Sequence, residues 1–144
     1  MKLLSSNKKA KFNYELIDKY VAGISLMGSE VKSIKMGSAN IENSYIQIRE
    51  GSAYLKQMNV PKYEFQNMEP HQPERERRLL LNKKEIKKLD QEVKTKNLTL
   101  IPTAMLVGNR GLIKIEFFTA KSKNKADKRE QEKKKEFERI KKMY

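Results

Sequence analysis

Apolar residues recur along this chain with two periods, and each period marks a different element. Tyr20, Ala22, Ile24 and Leu26 alternate with other positions, which predicts a strand that turns those four to one side. Gly23 falls on the opposite side and marks a bulge or a close backbone approach. Residues 12–16 alternate more weakly and form an earlier strand. Ile46 and Ile48 match Ala53 and Leu55 across Glu50, Gly51 and Ser52, which predicts a hairpin of residues 45–49 and 53–56. Residues 98–107 and 112–120 are two longer strands on either side of Gly108-Asn109-Arg110-Gly111. In the second of them Ile113, Ile115 and Phe117 alternate with Lys114 and Glu116.

The helical period appears twice in the first 120 residues. Val31 and Ile34 share a face, with Ser29 ahead of them as a cap and Gly37 behind as a left-handed stop. Ile86, Leu89 and Val93 form one stripe. Asn82 and Glu85 before that stripe have capping-box spacing, and Leu81 and Ile86 form a hydrophobic staple around it. Residues 59–78 show neither period. They hold Pro61, Pro70 and Pro73, the one histidine (His71), and Arg75, Arg77 and Arg78, and read as a functional loop. Six strands with two interleaved helices predict a small antiparallel barrel, the form that best hides sheet edges in so short a chain.

Charge adds a partner to this outline. The formal net charge is +14. From Lys121 to Tyr144 there are eleven Lys or Arg against five Asp or Glu, with no Gly or Pro. The chain therefore divides into a body, residues 1–120, and a basic tail, residues 121–144. Glu130 and Lys134, and Glu138 and Lys142, form favourable i,i+4 pairs. Phe137, Ile140 and Tyr144 make a thin apolar stripe, too narrow to dock a helix firmly. The expectation is a tail disordered alone and helical against a partner. A basic body with a basic arm points to RNA or DNA, and of the small barrels the oligonucleotide-binding type suits that charge.

Other classes have less support. The chain has no cysteine, which excludes disulfides and thiolate chemistry and favours a reducing, cytoplasmic setting. No apolar run reaches the ~18 residues of a membrane span, and Leu3 and Leu4 alone make too short a patch for a signal peptide. One histidine between two prolines reads as a surface residue rather than a catalyst. No metal or other cofactor is expected, because the acidic residues lie scattered among lysines. Candidate phosphate contacts are Lys8, Lys32, Arg75 and Arg78. Tyr14, Tyr20, Tyr45, Tyr54 and Tyr63 offer stacking faces for bases. Taken singly, each of these fits a solvated lysine or a rim tyrosine better than an RNA contact. Their summed charge carries the reading, with a general single-strand-binding barrel as the alternative and a nuclease as the enzyme class to exclude.

Three strings together resemble one family. The chain carries Ala22-Gly23 followed by Leu26, Gly28 and Glu30-Val31-Lys32-Ser33. It then carries Arg75, Arg77, Leu79-Leu80-Leu81 and Glu85, and later Asp127-Lys128-Arg129. From about Asn7 to the C-terminus this pattern is similar to the SsrA-binding protein, or small protein B, family. The resemblance implies an oligonucleotide-binding-type barrel, no enzymatic activity, and binding to the tRNA-like domain of transfer-messenger RNA. It further implies delivery of that RNA to stalled ribosomes, with elongation factor Tu and alanyl-tRNA synthetase acting on the same RNA. The protein is expected to work as a monomer, without a membrane. Asn7 and Leu80 match family positions associated with RNA contact. Lys121, Lys123, Asp127, Lys128, Arg129 and Ile140 match the tail that enters the decoding centre and the empty mRNA channel. Val21, Asn124 and Ala126 depart from the family's usual residues.

Overall fold

One long strand organises the molecule. The structure, a computed structural model, describes residues 2–62 and 71–122. Within them β2 (Tyr14–Ile24) is the central strand of a seven-stranded sheet ordered β1-β6-β7-β2-β5-β4-β3. On one flank β2 pairs with β7 (Ile113–Ser122) from Tyr14↔Ser122 to Gly23↔Lys114. β7 pairs with β6 (Thr99–Val107), and β6 with β1 (Lys2–Ser6). On the other flank β2 meets β5 (Arg77–Leu80) through only Gly23↔Leu80 and Ile24↔Leu79. β5 then pairs with β4 (Ser52–Lys56), and β4 with β3 (Tyr45–Arg49). Every pairing is antiparallel.

This architecture keeps the expected class and corrects its count and closure. The sheet has seven strands rather than six, and no ladder joins its two ends, although β3 lies against β6. Two predicted strands, 12–16 and 20–26, are one strand. A register shift between Leu16 and Lys19 carries β2 past its polar stretch, where the Asp18 N–H donates to Thr119 Oγ1 at 3.1 Å. β1 and β5 escape the period-2 pattern because four or five residues such as Arg77-Arg78-Leu79-Leu80 give no alternation of polarity. The expected loop over 59–78 therefore ends in a strand. β7 also continues two residues beyond the expected body boundary, pairing Lys121 with Glu15 and Ser122 with Tyr14. Lys121 thus belongs to the sheet and not to the tail. Lys123, Asp127, Lys128, Arg129 and Ile140 lie outside the described residues.

The helices close the interior. α2 (Gly28–Lys35) inserts Ile34, and α3 (Lys83–Lys96) inserts Ile86 and Leu89 with Val93 alongside. The expected capping box of α3 is present: the Glu85 N–H donates to Asn82 Oδ1 at 2.8 Å, and the Asn82 N–H to Glu85 Oε1 at 3.4 Å. α2 starts one residue before the predicted cap. Its N-cap is Met27, whose N–H donates to Glu30 Oε1 at 2.8 Å, which leaves Ser29 inside the helix and buried. A third helix, α1 (Ala10–Asn13), is a single turn between β1 and β2. Phe117, Ile115, Met105, Ile34, Ile41, Leu55 and Leu79 meet in the core. The hairpin pairs the expected inward sets, as Ile46↔Leu55 and Ile48↔Ala53, but its turn is the two residues Glu50-Gly51, with φ of 51° and 76°, and Ser52 belongs to β4 rather than to the loop.

Candidate nucleic-acid interface

β5 sorts its four residues by face. Arg77 and Leu79 point into the molecule, and Arg78 and Leu80 point out. Leu80 is 58% exposed, a large apolar side chain left in solvent. It fits there because Gly23 stands opposite: a Cβ at Gly23 would lie 3.3 Å from Leu80 Cδ1. Gly23 is therefore a close approach, and the irregularity of β2 lies elsewhere.

The inward side of β5 is ionic. Arg77 and Glu30 side chains are both 0% exposed, and Arg77 Nε donates to Glu30 Oε2. Arg77 Nη1 donates to the Met58 carbonyl at 2.9 Å, and Nη2 to the Pro73 carbonyl at 3.1 Å. Arg75 Nη2 donates to Glu30 Oε1 at 2.5 Å. Burial pushes the Glu30 carboxyl up. The Arg75 hydrogen bond, the Met27 N–H and the Arg77 charge outweigh that burial and hold it below the ordinary glutamate value. Close by, His71 is buried, not a surface residue. Its Nε2 donates to the Val60 carbonyl at 2.9 Å, so Nδ1 accepts from Ser29 Oγ at 2.8 Å. Sequence reasoning placed Arg77 in one basic cluster with Arg75 and Arg78, took the latter two as phosphate contacts, and missed this joint. The available signal was Glu30, a lone glutamate in a short helix that must bury a face.

The outer face joins several of the predicted residues. Cross-strand neighbours run from Leu80 through Gly23, Lys114 and Leu106 to Leu3. Four strand spacings make that row about 19 Å long. At its far end Asn7 and Lys8 line a 530 Å³ recess floored by Leu16, Leu106 and Phe118. Asn7 also holds the turn into α1: its Nδ2 donates to the Pro102 carbonyl at 3.2 Å and its N–H to the Thr103 carbonyl at 2.8 Å. At the near end Arg78 borders a 610 Å³ cleft lined by Lys83, Lys87 and Lys94 together with Glu50 and Asp90. Lys32 stands on the exposed side of α2, turned away from Glu30 and Ile34. Arg75 keeps 35% of its side chain in solvent, but its charge is shared with Glu30.

The tyrosines divide. Tyr20 is stacked on Phe117 at 5.4 Å and 16°, so its ring belongs to the core. Tyr54 carries the Arg49 guanidinium 4.6 Å above its ring and pairs with Arg78 across β4 and β5. Tyr14 packs beside Ala10, Ile101 and Ala120. Tyr45 remains partly open on the outer face of β3, and Tyr63 lies outside the described residues. Among the described residues no three His, Asp or Glu side chains converge as a metal site. Among them, too, no helix is long and apolar enough to cross a membrane.

The family model described as SmpB protein matches residues 4–144. The chain belongs to the SmpB family. The SsrA-binding protein of Thermosipho africanus strain TCF52B is 46% identical over 139 residues, covering 96% of this chain and 93% of that protein. The SsrA-binding protein of Thermosipho melanesiensis is 47% identical over the same length, covering 96% and 95%. A chain solved in work described as "tmRNA-SmpB: a journey to the center of the bacterial ribosome" has the same fold. Its TM-score is 0.68 at 34% identity, covering 87% of this chain and 91% of that one.

Proposed function

We propose that this protein binds transfer-messenger RNA through its tRNA-like domain and acts with it on stalled ribosomes in trans-translation. What carries this reading is similarity without a gap in kind: proteins called SsrA-binding protein align over 96% of the chain. The geometry supplies a surface for the task. Asn7 and Lys8 at one end of the outer row, and Arg78 and Leu80 at the other, present polar, cationic and apolar groups to one side. Backbone charge and shape, rather than base edges, suit recognition of a folded RNA. Lys32 adds a cation from α2, and Arg75 a charge partly neutralised by Glu30. The partners are the RNA, the small-subunit decoding centre and mRNA channel, and, through the same RNA, elongation factor Tu and alanyl-tRNA synthetase. The protein acts in the cytoplasm as a monomer and catalyses no reaction. The basic segment containing Lys123, Asp127, Lys128, Arg129 and Ile140 is the part that enters the channel.

A competition assay at fixed salt tests this. The folded tRNA-like domain is expected to displace an unstructured RNA oligomer of equal length with at least about tenfold advantage. Equal competition would instead support a general single-strand-binding protein.

A further inference from the structure

β5 can bury the same pair of residue types in either of two registers. In the observed one, Arg77 and Leu79 face inward. One residue along, Arg78 and Leu80 would. A single-residue slip exchanges the two faces of a strand, and register is normally chosen by which face is apolar. Here both faces carry one arginine and one leucine, so that choice is void. The ladder adds little, since two residue pairs hold β5 to β2 and three hold it to β4.

Two charged devices distinguish the registers. Arg77 is tied to three separate segments at once: Glu30 of α2, the Met58 carbonyl beyond β4, and the Pro73 carbonyl. The second device is Glu76, which shares the outer side with Arg78 and Leu80. It meets Arg49 at 3.1 Å and Lys56 at 3.8 Å. A slip would turn Glu76 inward, toward the buried Glu30, and set two carboxylates together where one is now matched by arginines.

We propose that the buried Glu30–Arg77 pair is the register lock of β5, the positioning element that keeps Arg78 and Leu80 on the RNA-facing side of the sheet. This rests on the reading that those two residues meet RNA. The pair's cost in desolvation is then a cost of uniqueness, a role that buried ionic groups fill in some proteins.

The test replaces both partners, Glu30→Met with Arg77→Met, so that no buried charge is stranded. Cross-strand NOEs report the register directly: Leu79 to Ala53 and Ile24 in the parent, Leu80 to the same pair if the strand slips. The lock predicts mixed or slipped NOEs and affinity for the tRNA-like domain about tenfold weaker, in a chain that still unfolds cooperatively. Adding Glu76→Gln is expected to enlarge the slipped fraction further. Native NOEs alone in both variants, with parental affinity, would overturn the proposal. Should the double variant not fold, amide exchange of the parent decides. Protection at Leu79 and Leu80 is expected to fall selectively once the pH is low enough to protonate Glu30, which is held below the ordinary glutamate value, while that of β6 and β7 holds. Uniform loss across the sheet would overturn it. The two readings fail separately: if the strand slips but affinity is unchanged, the lock stands and the RNA-facing role of Arg78 and Leu80 falls.

Discussion

The two flanks of β2 bury their inner faces by opposite means. Toward β7 and β6 the inner face is mainly apolar, with Ile113, Ile115, Phe117 and Met105 buried and Thr119 beside them accepting from the Asp18 N–H. Toward β5 and α2 it includes Arg77, Glu30, Ser29 and His71, polar groups at 0–4% exposure. The apolar flank has long ladders and unambiguous alternation, so most of its inward side chains only have to fill space. The ionic flank has a four-residue strand whose alternation is ambiguous, and directional bonds do the choosing. The lesson is that shape in this sheet comes from one flank and uniqueness from the other.

That contrast can be broken at several points. Phe117→Ala is expected to cost about 4 kcal/mol in urea unfolding, because the surrounding strands cannot collapse onto the void. Arg77→Ala is expected to cost about 3 kcal/mol, since it strands the buried Glu30 with Arg75 as its one guanidinium partner. The flanks differ in how they are rescued. Replacing Glu30 and Arg77 together by methionine is expected to restore stability to within about 1.5 kcal/mol of the parent. Acid sharpens the point. The Glu30 carboxyl is held below its ordinary value in the folded chain, so the unfolded chain binds more protons as pH falls through about 4.3. Its contribution is present above that pH and is lost as pH drops toward the folded value. The parent's urea midpoint should therefore fall more steeply over this window than that of the double variant, and parallel slopes would remove the ion cluster from the account. Asn82→Ala, at an exposed position, is expected to cost only about 1 kcal/mol through the lost cap of α3.

The difference between the flanks also explains what the sequence disclosed. Ile46, Ile48, Ala53 and Leu55 alternate cleanly, and the hairpin and its inward face were legible, though its turn is one residue shorter than expected. Asn82 and Glu85 announce a helix start through local bonds that need no tertiary context. β5 was not legible, because its polarity does not alternate. Its arginines looked like one basic cluster until the sheet separated Arg77 from Arg78. β1 was hidden for a related reason: Leu3 and Leu4 face opposite sides, one exposed and one against the core, and two residues make no period. The bulge that merges two predicted strands into β2 depends on Thr119, a hundred residues away, which no local pattern contains. Of the candidate site, Asn7 and Lys8 lie at one end of the outer row and Arg78 and Leu80 at the other. Arg75 turned out to serve an internal carboxylate, a commitment set by α2 and visible only in three dimensions.

The central claim is that adjacent residues of β5 have separate tasks, the inner pair holding the fold and the outer pair meeting RNA. The direct measurement is the affinity of Arg78→Ala/Leu80→Ala for the tRNA-like domain, taken beside its urea midpoint. Affinity at least about tenfold weaker with stability within about 0.5 kcal/mol of the parent is the predicted result. Parental affinity, or a loss of affinity matched by a loss of stability, would contradict it.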